Sequence, residues 1–511
     1  MKSPGQECYA NVMDFGAKGE RKIMTSSGFI VGFGTVDITP AMGIQLCGDI
    51  GRRRPTEEIR MPISARALVI ESSGKTACII QADVIGMAGS IARELAATVA
   101  SRLGTTPDAV MLHTPQSHSS PSVGHYWTIN ESPYIPADCP WLRGGDDRYI
   151  EPFKARVLAA VDAAAKDRVP ATLHLGRVSD GRAAFNRRFV MRGGTTRMYP
   201  ETMLLETFPG LVGNRTAVKT HPSKGSGDIF KCEGVTDPEV GVAVFRAKDG
   251  SVVGAILHHT CHPCHGYPQR WVHPDWPGAW AEGFAKAVGA PGRALTLNGF
   301  CGNIHHSNHL NPRQNDTIEE QTGFLLESAL RAAEHLEPCT DTTLAWESRS
   351  FEAPWRKLPK ETVAQAKAFL KGRAEPKWSD ASKLQATWDW CYAVATVDLA
   401  ITHKRHKTAP YTVQTFRVGD LALVGWPGEP FVDFQLAIKA DSPAKYCFTA
   451  HQVNYGILCG YQMSAEAIER GGYETWTCNT SALSPKAPAM ALDATRELLG
   501  RLYSHPGSVR S

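Results

Sequence analysis

Three segments of the chain share the pattern that most constrains its fold, two short apolar runs on either side of a turn that contains glycine. The segments are RALVIESSGKTACIIQAD, GVAVFRAKDGSVVGAILHHT and TVQTFRVGDLALVGWPG, with Ser-Gly, Asp-Gly and Gly-Asp at their turns. Glycine gives a tight turn the backbone twist that joins two antiparallel neighbours. The sequence therefore predicts β-hairpins, and antiparallel strands are expected to dominate the sheets.

Helices are expected between these strands. Ile91, Leu95, Val99 and Leu103 recur at every fourth residue, and the alanine-rich stretch 153–165 has its apolar residues on one face. Two further helices are predicted in EEQTGFLLESALRAAEHL and ETVAQAKAFLKG. Strands and helices alternate in the first third of the chain, and hairpins dominate later. This order predicts a mixed α/β (α+β) fold built in layers.

The chain is long enough for a large core, with 511 residues of which 42% are hydrophobic. Residues 1–28 are polar and glycine-rich without periodicity, which predicts a flexible N-terminal arm. Residues 29–511 show no linker and no internal repeat, so we expect one domain there. Within it, the polar stretch 350–410 is interpreted as a helical insertion or lid.

Charge and hydropathy limit the partners of this chain. The formal net charge is only +4, and no dense Lys/Arg block alternates with aromatic residues, so nucleic acid is not expected as a partner. The chain contains neither an apolar run of bilayer-spanning length nor a signal-peptide h-region. We therefore expect a cytoplasmic protein without stable membrane insertion that acts on a small molecule, and the sequence permits a homo-oligomer.

The cysteines favour reduced thiols over a disulfide framework. Their number is odd, thirteen, in a long chain without a secretion signal. Cys261 and Cys264 have C-x-x-C spacing, but no second such pair lies at zinc-ribbon distance, so a closed structural zinc site is not predicted. His265 completes a C-x-x-C-H run, yet haem attachment needs a secreted maturation route that the sequence does not indicate.

Four side chains of types that bind metals stand far apart in the sequence, each beside glycine or proline or at the end of an apolar run. They are His118, His262, Glu429 and Tyr461. Metal and catalytic sites are usually assembled in this way, from distant segments that meet at the ends of rigid elements. The pattern predicts an enzyme with a metal centre.

The order of several short motifs resembles the neutral ceramidase family, specifically its N-terminal catalytic domain. The motifs, in chain order, are GFGTVDITP, QADVIG, SHSSP, HHTCHP, HPDWPG, GNI, FRVGDLALVGWPGEPF and GYQMSAEAIERGGYE. The resemblance spans about residues 29–475 and implies a layered catalytic domain, with mostly antiparallel sheets flanked by helices. It also implies a zinc-dependent amidohydrolase, and the family's C-terminal immunoglobulin-like domain is expected to be absent.

The resemblance implies a zinc site with one altered position. His262, Glu429 and Tyr461 match three zinc ligands of the family. The fourth ligand of the family is the first His of T-H-T-H-S-G-P, where this chain has Gln116 in P-Q-S-H-S-S-P. Either Gln116 or His118 completes a site for Zn²⁺ or another divalent metal, or metal binding has been lost.

The resemblance also implies catalytic residues around the metal. Arg187 and Tyr473 match an Arg and a Tyr of the family site and are expected to stabilise an oxyanion, with His118 as acid/base. Asn303 and His305 replace an Asp and a Ser that the family presents there, so His305 is a further candidate. This exchange changes the charge and the shape of the pocket. Ceramide's two long alkyl chains need an apolar groove, whereas the motif loops are rich in His, Asn, Gln and Arg, so a small polar substrate is expected rather than ceramide.

These residues predict a metal-dependent hydrolase of an amide or related acyl bond. A second hypothesis keeps the metal but uses it to polarise a hydroxy-carbonyl or sugar-acid substrate, which would make the protein an isomerase, epimerase or lyase. A third is a binding protein that retains the fold without catalysis. Asp83 and Asp275 are candidates for carboxylates that orient ligating histidines, with helix capping or turn formation as the alternative.

Overall fold

Two stacked β-sheets form the centre of the structure, a computed structural model that describes residues 28–193, 218–314, 316–373, 375–454 and 460–504. The predicted N-terminal arm, 1–28, lies outside the described residues except for Gly28. The sheets are mostly antiparallel and are flanked by helices, so the predicted mixed α/β fold is confirmed.

The first sheet contains nine strands. In chain order they are β1 (Phe29–Asp37), β2 (Ser64–Ser72), β3 (Lys75–Ala82), β4 (Val110–His113), β5 (Val169–Ser179), β6 (Glu239–Arg246), β7 (Val252–His259), β8 (Ala294–Asn298) and β9 (Glu337–Pro338). Their spatial order is β8-β7-β6-β5-β1-β2-β3-β4, and β9 pairs with β5. Only β3 with β4 and β7 with β8 pair in parallel within this sheet.

The second sheet contains four strands in the order of the chain. They are β10 (Leu344–Pro354), β11 (Thr408–Val418), β12 (Leu421–Gly425) and β13 (Tyr446–Ala450). The pairs β10/β11 and β11/β12 are antiparallel, and β12/β13 is parallel.

The three predicted hairpins are present, with one difference in turn length. Ser72 lies opposite Lys75 and Val418 opposite Leu421, so two of the turns have two residues. In the third hairpin a register shift at the end of β6 leaves five residues, 247–251, between the strands. There the Ala247 N–H donates to the Ser251 carbonyl at 2.9 Å, which closes a longer loop around the Asp-Gly pair.

Nine α-helices occur in the described part of the chain. They are α1 (Gly89–Leu103), α2 (Ile150–Lys166), α3 (Asp275–Ala287), α4 (Ile318–Ala333), α5 (Lys360–Leu370), α6 (Trp388–Arg405), α7 (Val432–Asp441), α8 (Ala465–Arg470) and α9 (Lys486–Tyr503). The four predicted helices correspond to α1, α2, α4 and α5. Helices α5 and α6 lie between the paired strands β10 and β11, within the stretch 350–410. No helix in the described ranges is both long and apolar enough to span a bilayer.

Apolar residues on both faces of the two sheets define four layers. Phe29, Phe245 and Leu297 of the first sheet pack against Phe416 and Phe448 of the second, which forms the central core. The opposite face of the first sheet packs against α1 to α4, and that of the second packs against α9. The order is therefore helices, sheet, sheet and helix.

The remaining strands are short and connect loops around the site. Four pairs of two-residue strands are Glu58–Ile59 with Trp271–Val272, Gly86–Met87 with Ser122–Val123, Phe185–Asn186 with Ile304–His305, and Glu429–Pro430 with Tyr461–Gln462. A small three-stranded sheet contains Arg188–Met191, Val218–Thr220 and Ile229–Cys232. The cysteines of the described residues are free thiols.

The carboxyl ends of four strands determine where the site forms. The carboxyl ends of β4, β7, β8 and β12 are followed by the segments that carry His118, His262, His305 and Glu429. β7 and β8 pair in parallel, so the loops with His262 and His305 leave the same edge of the sheet. The Asn298 N–H at the end of β8 donates to His113 Nε2 at the end of β4, and the His451 N–H after β13 donates to the Asn298 carbonyl, which brings the other two loops to this edge. The layered fold thus brings together residues that lie more than 300 positions apart in the sequence.

Candidate metal centre

His118 and His262 are held in the same way, each through one ring nitrogen. Nδ1 of His118 lies 2.9 Å from the Gly48 carbonyl, and Nδ1 of His262 lies 2.9 Å from the Cys301 carbonyl. Since a carbonyl only accepts, Nδ1 carries the proton in both rings, and Nε2 presents a lone pair. Both Nε2 atoms are buried and have no hydrogen-bond partner among the described residues. Burial lowers the pKa of His118 to about 4 and holds that of His262 well below its ordinary value, so both rings are neutral.

Glu429 lies next to His262. Its Oε2 is 3.6 Å from His262 Nε2, and it is buried without a hydrogen-bond partner in the described structure. Oε1 accepts a long hydrogen bond, 3.4 Å, from the Tyr126 hydroxyl. Burial raises the pKa of the Glu429 carboxyl, and the side chains of Gln116 and Arg187 oppose that shift. The carboxylate is therefore short of partners for its negative charge.

Tyr461 reaches the same place because its short strand pairs in parallel with the strand that begins at Glu429. Its hydroxyl lies 3.1 Å from that of Tyr473. The Arg187 guanidinium lies over both rings, with its central carbon 5.5 Å from the Tyr461 centroid and 5.3 Å from that of Tyr473. Arg187 is buried, and its Nε donates to Glu474 at 3.1 Å, which fixes the guanidinium in position.

Gln116 also lies at this centre, in a backbone conformation that is rare for its type. Its φ is +74°, in the left-handed region. The amide Nε2 donates to the Tyr126 hydroxyl at 3.1 Å, whereas Oε1 is buried without a partner in the described ranges. Strained backbone of this kind is concentrated at functional sites. Both residues that were proposed for the altered position, Gln116 and His118, therefore present an unused ligand atom.

These atoms have the chemistry of a divalent metal site. Two imidazole nitrogens, a carboxylate oxygen and an amide oxygen are buried without partners in the part of the chain that the structure describes. Leaving such atoms unsatisfied costs free energy, and a divalent ion would satisfy them together. The carbonyls behind both histidines fix the tautomer that a metal requires. The residues therefore fit a divalent metal ion.

The ligand atoms of His118, His262 and Glu429 are farther apart than those of a second group of residues nearby. Among the described residues, one group of His, Cys, Asp or Glu has its ligand atoms all within 4.8 Å of one another, and it consists of Cys264, His305 and His306. His118 and His262 have ring centroids 5.5 Å apart. Tyr461 and the Gln116 oxygen would be needed to complete the first set.

A cavity of about 550 Å³ opens over these residues. The lining includes His221, His305 and His306, together with Trp388 and Tyr392 of α6. His118, His262, Arg187, Tyr461 and Tyr473 also line it. The structure thus brings the predicted catalytic residues to one cavity, and helix α6 supplies part of its wall.

Several residues at the centre were not predicted from the sequence. Tyr126 hydrogen-bonds to Glu429 and to Gln116, and it accepts from Gln452 at 2.9 Å, yet no motif marks it. Cys264 was considered only as half of a C-x-x-C pair, and it faces the cavity. The histidines clustered in HHTCHPCH and NIHH are the sequence signal that indicates this part of the cavity.

Neither candidate carboxylate orients a proposed ligand. Asp83 pairs with Arg66 at 2.6 Å and also accepts from the Ser64 N–H at 2.9 Å, so it stabilises the start of β2. Asp275 accepts from Nδ1 of His265 at 2.7 Å, and His265 is not one of the predicted ligands. The neighbours of His118 and His262 are backbone carbonyls instead, which no sequence pattern indicates.

Comparison with solved structures identifies the fold. The structure is similar to neutral ceramidase from Pseudomonas aeruginosa, with a TM-score of 0.64 and 17% sequence identity over 95% of this chain and 76% of that one. A ceramidase complexed with C2 is similar with a TM-score of 0.63 and 16% identity, over 93% of this chain and 75% of that one. No protein-family model and no curated protein matches the sequence. The resemblance inferred from the motifs is thereby confirmed at the level of the fold.

Proposed function

We propose that the chain is a metal-dependent hydrolase that cleaves an amide or related acyl bond in a small polar substrate. The observation that carries this proposal is the pair of buried imidazoles, His118 and His262, which line a cavity with unused Nε2 atoms, that of His262 lying 3.6 Å from Glu429. The likeness to ceramidase structures supports a hydrolase fold.

His118, His262, Glu429 and Tyr461 would hold the ion, and the Gln116 oxygen is available to join them or to replace His118. When bound there, a divalent ion lowers the pKa of water and polarises a carbonyl group. Zinc suits this mixture of nitrogen and oxygen ligands.

The chain's own residues would stabilise charge and move protons. Arg187 lines the cavity with its guanidinium fixed by Glu474, so it is oriented to stabilise an oxyanion, with the Tyr473 hydroxyl as a second donor. Nδ1 of His305 accepts from the Ser307 N–H at 3.0 Å and its Nε2 carries a proton, so this neutral ring can donate a hydrogen bond but cannot supply the proton of a leaving group. If Gln116 is the ligand, the free Nε2 of His118 can accept a proton from the attacking water and pass it to the leaving group.

The cavity supports a small polar substrate. A volume of about 550 Å³ is in the range of pockets for single small molecules. Its wall of histidines, with Asp49 and Arg187, offers hydrogen-bonding groups that two long alkyl chains could not satisfy.

The test is hydrolysis of a panel of short N-acyl amines and N-acyl amino acids by the full chain, before and after chelation. We expect activity with some members, loss on removal of the metal and recovery with Zn²⁺. His262→Ala should abolish activity, whereas His335→Ala, an exposed histidine away from the site, should retain it. Full activity in a metal-free preparation would contradict the proposal.

One observation favours a second candidate function. The cavity wall carries several neutral imidazoles, among them His221 and His305, and such groups also suit proton transfer at carbon. An isomerase, epimerase or lyase acting on a hydroxy-carbonyl or sugar-acid substrate would incorporate solvent deuterium at a substrate carbon without adding water. The same incubations in deuterated buffer, analysed by mass spectrometry, separate the two functions.

A further inference from the structure

A second set of ligand atoms lies in the cavity wall, separate from the four residues proposed above. Cys264 follows β7, and His305 and His306 follow β8, so the parallel pairing of these strands brings them together. Cys264 Sγ is 3.0 Å from His305 Nε2, and one ligand atom from each of the three residues lies within 4.8 Å of the others. All three line the cavity.

The wall presents an unused ligand atom. His306 is buried, with an exposed fraction of 9%, and its Nδ1 has no hydrogen-bond partner in the described part of the chain. Besides its contact with His305, Cys264 Sγ lies 3.8 Å from the His262 carbonyl, which is long for a hydrogen bond. A thiol and imidazoles at this spacing offer the soft and borderline ligands that select zinc, cobalt and similar ions over magnesium or calcium.

The neighbouring rings hold this wall in place. His265 stacks on His306 with centroids 3.6 Å apart, and Asp275 fixes His265 through its Nδ1 at 2.7 Å. His305 stacks on His306 at 4.0 Å, and His221 packs edge-on against His305 at 4.5 Å. Because the rings are already ordered, little conformational entropy remains to be lost when an ion binds.

One contact has to change on binding. His305 Nδ1 accepts from the Ser307 N–H, so Nε2 now carries the proton that points toward Cys264. A metal at Nε2 requires the other tautomer and the loss of that single neutral hydrogen bond. The free energy of such a bond is small beside that of a transition metal held by a thiolate and two imidazoles.

We infer that Cys264, His305 and His306 form a second divalent-metal site that opens into the cavity and takes zinc or a similar borderline ion. Three protein ligands leave one coordination position free, and an ion there would bind a carboxylate or hydroxyl oxygen of a ligand in the cavity. The inference does not depend on the proposed hydrolysis, because it concerns binding alone.

Cobalt titration of the metal-free full chain tests this site. Thiolate ligation of Co²⁺ produces a near-ultraviolet charge-transfer band, and none of the ligands proposed for the first site is a cysteine. We expect two bound equivalents in the wild type and a band that Cys264→Ser removes together with one equivalent. His306→Ala should weaken Co²⁺ binding at the same site, whereas Cys139→Ser, at a partly exposed cysteine outside the cluster, should change neither quantity.

Glu429→Gln separates the two sites, because it should reduce binding at the first site and leave the band intact. Failure of the first site therefore cannot be mistaken for failure of the second. Absence of the band in cobalt-saturated wild type, or its persistence in Cys264→Ser, would overturn the inference.

If Cys264→Ser does not fold, alkylation of the wild type provides the measurement. Zn²⁺ should slow iodoacetamide labelling of Cys264 severalfold, and equal labelling with and without Zn²⁺ would also overturn it.

Discussion

At the scale of single residues, the proton on each imidazole determines what the centre is able to bind. Carbonyls behind His118 and His262 place the proton on Nδ1 and leave Nε2 free, whereas a backbone N–H behind His305 does the reverse. His118 and His262 therefore present a lone pair at Nε2, whereas His305 presents an N–H there. The difference comes from the backbone groups behind the rings.

Gln116→His should strengthen metal binding at the first site. Imidazole is a better zinc ligand than a neutral amide oxygen, and the buried Oε1 of Gln116 already lacks a partner in the described structure. We expect the Kd for Zn²⁺ to fall about 10-fold or more, measured by competition with a chromophoric chelator. Gln116→Leu is the control, and a tighter site in that variant would contradict the argument.

Tyr126→Phe should weaken metal binding although Tyr126 is not a proposed ligand. Its hydroxyl contacts both Glu429 and Gln116, and loss of such supporting hydrogen bonds commonly reduces metal affinity about 10-fold or more. The same chelator competition measures the effect. Tyr134→Phe serves as a control in the same part of the chain, and an equal change in both variants would show that the effect is not specific to the centre.

At the scale of elements, the hairpins and amphipathic helices could be predicted because their patterns are local. Helices α3 and α6 could not. The start of α3 contains Pro277 and Gly278, which suggest a turn, and most residues of α6 are buried, so it lacks an apolar stripe. The site residues divide in the same way. His262 and Glu429 could be predicted from their residue types, whereas Tyr126 reaches the site through a contact across more than 300 residues.

Helix α6 contains a buried carboxyl whose charge is poorly compensated. Burial raises the pKa of Asp398 to about 7, and its Oδ1 has no partner within the described residues. The folded state therefore binds this proton up to a higher pH than the unfolded chain, and stability is lost as pH rises from about 4 to 7.

Asp398→Asn should stabilise the protein most above about pH 7. The amide keeps the shape of the carboxyl but carries no charge, so the cost of burying a carboxylate disappears. The gain in the free energy of unfolding is at most about 4 kcal/mol at high pH and should vanish near pH 4. Urea denaturation at several pH values measures it. Asp493→Asn, at an exposed position of α9, is the control, and a pH-independent gain in Asp398→Asn would contradict the explanation.

At the scale of the whole molecule, buried neutral histidines should make the fold sensitive to acid. Burial lowers the pKa of His113 to about 3 and those of His259 and His451 to about 4, each from an ordinary value of 6.5. The unfolded chain protonates these rings first, so the free energy of unfolding should decrease as pH falls from about 6.5 to 4.

The slope of this acid destabilisation can be estimated. Each histidine contributes up to about 1.4 kcal/mol per pH unit, and Asp398 offsets roughly one of the three, so these groups alone give about 3 kcal/mol per pH unit. The buried histidines of the cavity, whose pKa values are also lowered, add to this slope. Urea denaturation between about pH 7 and 5 measures the slope. Substituting the exposed His335 should leave it unchanged, and Asp398→Asn should make it steeper. A stability that stays constant over this range would show that the buried rings are protonated without cost.

The central core between the two sheets has a consequence for synthesis of the protein. The first sheet is nearly complete when Asn298 has been made, but its inner face is covered only by strands that end at Ala450. About 150 residues remain to be added over that interval, on the order of 8–30 s at ordinary translation rates. During that time the nascent chain on the ribosome exposes an apolar sheet surface, so its yield in cells should depend on chaperones that bind growing chains.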